Sequence, residues 1–144
     1  MKTRRAQAWI ACNKLTKIWK SSLNKKLKLK LFVAAVESIF LYGSETWTIN
    51  KKTEKMIDGT YTRMLRAVRN ISWKDHITNE ELYGCLPKLS IKIRERRMRL
   101  AGHCLRHSEE EASKLVLWDP QHGSRGQGRP RVTFIDNLRD DTST

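Results

Sequence analysis

The side chains best placed to do chemistry in this chain are cations, and the chemistry they suit is phosphate binding. Arg4, Arg5, Lys14, Lys17, Lys20, Lys25, Lys26, Lys28 and Lys30 crowd its beginning. Residues 1–30 hold ten basic residues and no acidic one, because Glu37 is the first carboxylate, whereas residues 31–144 hold 19 basic and 15 acidic residues. The net charge of +14 and the pI near 10.1 are therefore concentrated at one end. Such a charge speaks for a polyanionic partner, nucleic acid first and an anionic membrane surface second. A lysine run is ordinarily a solvated face. Here no neighbouring carboxylate neutralises it, so contact with a phosphate backbone is the favoured reading.

A second set of cations follows. Arg94, Arg96, Arg97 and Arg99 load one helical stretch, and Arg125, Arg129 and Arg131 punctuate a glycine-rich one. Gly128-Arg129-Pro130 resembles the minor-groove AT-hook, in which glycine permits close approach and arginine enters the groove. Gln127 stands where that motif has arginine, so a plain mobile linker is an equal reading. These arginines are expected to form a second, DNA-facing site.

Other chemistries find little support. Cys104 and His107 have a spacing that offers two zinc ligands, with Cys85 or His122 as possible partners. No second cluster has ligand spacing, and a core cysteine with surface histidines is the expected state. Nucleotidyl transfer needs carboxylates that hold two metal ions about 3.5–4 Å apart. Asp140-Asp141 lies in a polar tail and not between β-forming runs, so that role is not assigned to it. Neither a P-loop, a Gly-x-Ser-x-Gly nor a His-Glu-x-x-His pattern is present. The chain alone is expected to be neither a polymerase nor a nuclease, and to need no cofactor.

The elements that position the cations read as helices throughout. With 144 residues there is about one domain's worth of chain. Trp9, Cys12 and Trp19, with Ala8, Ala11, Leu15 and Ile18, share a helical face over 4–19. Leu31–Tyr42 is an apolar run read as a core helix, stopped by Gly43. Ile57, Tyr61, Met64, Leu65 and Val68 stripe a helix over 51–69. Thr78 and Glu81 form a capping box, with Ile77 and Leu82 at the staple positions. A helix over 91–107 is expected to bury Ile91, Ile93, Met98, Leu100, Ala101, Cys104 and Leu105 and to turn its arginines outward. The last two make a helix-turn-helix outline, although Gly84–Ser90 is long for its turn. Trp73 could stack a base, although a tryptophan after a helix usually caps a core edge, which is the expected reading. No apolar stretch reaches the about 18 residues of a membrane span. Three widely spaced cysteines argue against a disulfide scaffold. A soluble intracellular protein is expected.

The wording of several segments is more specific than their periodicity. Leu41-Tyr42-Gly43-Ser44-Glu45-Thr46-Trp47, Tyr61-Thr62-Arg63-Met64-Leu65-Arg66, Ile71-Ser72-Trp73-Lys74-Asp75, Arg96-Arg97-Met98-Arg99-Leu100-Ala101-Gly102-His103 and Gly128-Arg129-Pro130-Arg131 occur in that order. Together they resemble the region after the polymerase core of LINE-type (non-LTR) retrotransposon reverse transcriptases. The resemblance implies an all-α piece: a thumb-like bundle over 1–47, a post-thumb region over 48–118, and a flexible basic arm with an acidic tail over 119–144. It also implies that the catalytic palm, which uses Mg, and the endonuclease belong to other parts of the complete protein. The partners it implies are an RNA–DNA hybrid or DNA, and the palm itself, in the nucleus. A truncated transposon remnant and a free-standing DNA-binding protein are the rival readings.

Overall fold

The computed structural model describes residues 1–116 and 133–143, and among them every regular element is helical. The elements are α1 (Lys2–Lys14), α2 (Thr16–Lys20), α3 (Lys25–Phe32), α4 (Ser38–Phe40), α5 (Lys51–Val68), α6 (Asn79–Tyr83), α7 (Leu89–Arg106), α8 (Glu111–Val116) and α9 (Phe134–Thr142). A π-helical turn, Val33–Glu37, joins α3 to α4.

α5 is the hub, packing against α1, α2, α3, α6 and α7. Its start is secured by a reciprocal cap: the Asn50 side chain accepts from the Thr53 amide, and Thr53 Oγ1 accepts from the Asn50 amide, both at 2.9 Å. From there Ile57, Tyr61, Met64, Leu65 and Val68 are buried, as their spacing predicts, together with Thr60. Burying side chains of this size contributes about 1.5–3 kcal/mol each. The core they anchor runs without a break from Ala8 and Cys12 of α1 to Leu89 and Ile93 of α7. The capping box of α6 is present, with the Glu81 amide donating to Thr78 Oγ1 at 3.2 Å and the Thr78 amide to Glu81 Oε2 at 3.1 Å.

Several expectations are corrected. The helix foreseen over 4–19 breaks at Leu15 (φ −94°, ψ 10°) into α1 and α2. A straight helix would hold Cys12 and Trp19 about 10 Å apart along its axis. The break folds Trp19 back, so that its ring is buried and its Nε1 donates to the Cys12 carbonyl at 2.8 Å. The apolar run Leu31–Tyr42 is not one α-helix either. The extra residue of the π turn lets Phe32, Val36 and Phe40 stay in the core while Glu37 is also buried. Gly43 does take the left-handed conformation, φ +67°, that ends the run.

α7 departs most from expectation. Ile91, Met98 and Leu105 are exposed, whereas Arg97 is buried on the line Ile93–Arg97–Ala101–Cys104. The reason is α9, which packs on that line and brings a carboxylate to Arg97. Asp141 is accordingly not in a solvated tail: its side chain is 7 % exposed. Trp73 does not cap a core edge, being 77 % exposed in a short 3₁₀ turn over Trp73–Asp75.

Candidate nucleic-acid interface

The N-terminal cations lie on α1, α2 and α3. Lys14, Lys17, Lys20, Lys25, Lys26 and Lys30 are exposed, and none of those three helices contains a carboxylate. The Asn24 side chain caps α3 by accepting from the Lys26 amide at 2.8 Å. This starts the helix at Lys25 and spaces Lys25, Lys26 and Lys30 along a regular surface.

Lys28 has a different task from its neighbours. Its Nζ donates to the carbonyls of Trp19 and Ser21, each at 2.6 Å. Those oxygens belong to the C-terminal end of α2, where intrahelical partners are missing and a cation is favoured. Lys28 thus ties α3 to α2 and sets the corner between them. Replacing Lys28 with Met is expected to lower stability by about 1–2 kcal/mol, the range for losing charge-assisted bonds to carbonyls. Its effect on the salt dependence of nucleic-acid binding should be smaller than that of Lys25→Ala. Chemical denaturation and a binding salt series on both variants check this.

Arg4 and Arg5 are half-buried at the start of α1. The Arg4 guanidinium lies 4.2 Å from the centroid of the exposed Tyr42 ring, and its Nη1 donates to Gln7 Oε1 at 3.0 Å. This stack joins the N-terminal helix to the end of the apolar run and leaves an aromatic face beside the cations.

The arginines of α7 divide into two kinds. Arg99 is exposed, and Arg96 is exposed while its Nη1 donates to the Leu41 carbonyl at 3.0 Å. Arg94 is bound to Glu54 of α5 at 3.0 Å and to Asp141 of α9 at 3.5 Å. Arg97, 2 % exposed, has Asp141 3.0 Å away. Burial pushes the Arg97 guanidinium below its usual pKa, against Asp141, and pushes the Asp141 carboxyl above the usual carboxylate range, against Arg97 and Arg94. Arg94 and Arg97 are thus held in ion pairs by the fold, and of the four only Arg97 is withheld from water, Arg94 keeping 38 % of its side chain exposed.

Arg125, Arg129 and Arg131 lie outside the described residues, as does His122. Cys104 is buried and Cys85 exposed, and no group of three or more metal-ligating side chains occurs among the described residues. Trp73, with Lys74 Nζ 5.9 Å from its ring centroid, is an exposed aromatic able to stack a base. Its Ser72 and Asp75 neighbours carry the signal for this. They form a second small capping box, which turns the indole outward.

No family model matches the chain, and no solved structure matches it. An uncharacterised protein of Caenorhabditis elegans, described as transposon-derived, is 27 % identical over 149 residues. That alignment covers 98 % of this chain and 53 % of the relative. The chain is similar to a transposon-derived protein. It spans about half the length of that relative, and the likeness runs through both the basic helices and the α7 region. No helix among the described residues is long and apolar enough to cross a membrane.

Proposed function

We propose that this chain is the nucleic-acid-gripping C-terminal part of a LINE-type reverse transcriptase. In this reading it holds primer–template or target DNA during target-primed reverse transcription, while catalysis belongs to a palm elsewhere in the complete protein. The observation that carries the reading is the carboxylate-free lysine corner of α1–α3, fixed by Lys28. A polymerase must hold duplexes of every sequence, so its grip is built from phosphate contacts, which position without specifying. Exposed lysines at helical spacing do that, and Trp73 adds a sequence-tolerant stacking surface. The similarity to a transposon-derived protein and the ordered family-like segments support the same origin.

The test is fluorescence anisotropy of the purified chain with RNA–DNA hybrid, double-stranded DNA and single-stranded RNA across a salt series. Binding with a steep salt slope and little sequence preference is expected. Sequence-selective binding to one DNA duplex would favour a free-standing DNA-binding protein instead. A second reading, a truncated remnant, draws on the exposed Leu105 and Leu115, which are 68 % and 77 % accessible. A chain that aggregates or melts without a sharp transition would favour it, and a folded chain that binds none of the three nucleic acids would overturn the gripping role.

A further inference from the structure

The buried Arg97 and the part-exposed Arg94 of α7 line a cavity to which α9 also contributes a wall. The cavity has a volume of about 580 Å³, and Lys51, Lys52, Arg94 and Arg97 reach it from α5 and α7. From α9, Asn137 accepts from the Ile49 amide at 2.8 Å, and Asp141 lies 3.0 Å from Arg97 and 3.5 Å from Arg94. Glu54 and Asp140 also line it.

Three features suit this cavity to an anion with more oxygens than one carboxylate offers. Arg97 is 2 % exposed, yet its Nε has no hydrogen-bond partner among the described residues. A guanidinium has five N–H donors and is costly to bury under-satisfied. The 18-residue helix α5 begins at this cavity with Lys51 and Lys52, whose first-turn amides have no intrahelical acceptor and carry the positive end of the helix dipole. Arg94 completes a set whose planar, forked donors match phosphate. Among the described residues, α9 packs chiefly on α7 and is tied to the start of α5 through the Asn137–Ile49 bond.

We propose that the cavity is a phosphate site for a bound nucleic-acid strand and that α9 is a latch over it, with the Asp141 carboxylate standing where the strand phosphate goes. The inference rests on the nucleic-acid reading above and assigns that interface its regulation. Displacing α9 exchanges one carboxylate for a phosphate on Arg97 and on the side of Arg94 that faces Asp141, while Arg94 keeps its 3.0 Å pair with Glu54, and uncovers Arg97 beside the exposed Arg96 and Arg99. In the latched state the lysine corner binds alone. In the open state α7 contributes as well.

The full chain is tested as the wild type, as Asp141→Asn, and as Glu95→Gln, an equal charge change at an exposed position on α7. Asp141→Asn is expected to raise duplex affinity about tenfold over Glu95→Gln and to steepen the salt slope by about one to two units. In the wild type, added duplex should speed hydrogen exchange of residues 134–142. That measurement decides the matter even if Asp141→Asn misfolds. Equal affinities for the two variants, with exchange of α9 unchanged or slowed by duplex, would overturn the latch while leaving the lysine corner intact. Opening of α9 by inorganic phosphate as readily as by duplex would assign the site to the free ion and overturn its role for a strand. If neither wild type nor variants bind any duplex, the nucleic-acid reading fails and the latch with it.

Discussion

Replacing Lys92 with methionine is expected to lower the unfolding free energy by about 3 kcal/mol, the range for removing one partner of a buried ion pair. Glu37 is 5 % exposed, and its two carboxylate oxygens have separate partners. Oε1 accepts from Lys92 Nζ at 2.6 Å, and Oε2 accepts from the Tyr61 hydroxyl at 2.5 Å. Tyr61 is itself fully buried, and burial together with Glu37 pushes its phenol well above the usual range, so it remains a neutral donor. Without Lys92 the carboxylate keeps one neutral hydrogen bond and loses its ion-pair partner among the described residues, in a place that water reaches poorly. The network joins three elements, the π turn, α5 and α7, so the loss should appear as a single earlier transition and not as local fraying. A double variant, Glu37→Leu with Lys92→Met, is expected to recover part of the loss. It replaces the pair by apolar groups and leaves only the Tyr61 hydroxyl unpartnered, a cost of about 1–3 kcal/mol. Urea midpoints of the two variants check both statements. A loss below about 1 kcal/mol for Lys92→Met would show that the Glu37 carboxylate is hydrated in solution.

The network also shows where reading the sequence stops being sufficient. α5 is legible from its residues because its information is local: the cap at Asn50 and the stripe from Ile57 to Val68 lie within one helix. The Thr78–Glu81 box is local in the same way. The π turn is not. A continuous α-helix over Leu31–Tyr42 satisfies every local preference, and the burial of Glu37 that the extra residue allows has its partners 24 and 55 positions further on, at Tyr61 and Lys92. Arg97 is a subtler case, since it falls on the spacing of Ile93, Ala101 and Cys104, and the period alone marks the position as buried. Its chemical identity argues for water, and only the carboxylate of Asp141, brought back by α9, reverses that preference. Lys28 likewise reads as one more surface cation until the carbonyls of Trp19 and Ser21 are seen beneath it. In each case a charged residue took a partner outside its own helix, and a pattern of apolar and polar residues carries no record of such pairs. The carboxylate-free character of α1–α3, by contrast, is composition and is visible at once.

That distinction selects the residues for the second large effect. Changing Lys20, Lys25, Lys26 and Lys30 together to alanine is expected to weaken duplex binding about 10³-fold at near-physiological salt and to reduce the salt slope by roughly 3–4 units, one counterion-release step per phosphate contact. All four side chains are exposed and none has a structural task like that of Lys28, so the thermal transition should hold its position. Alanine is the better helix former, which also argues against unfolding as the cause of any loss. RNA–DNA hybrid and double-stranded DNA should lose affinity together, because the removed contacts are to phosphates and not to bases. Binding that falls for one duplex only would mean that these lysines read groove shape in addition to charge. An unchanged salt slope would remove the lysine corner from the interface altogether. The contacts would then have to come from α7, where Arg96 and Arg99 are exposed, Arg94 is part-exposed, and Arg97 becomes available only when α9 lifts away.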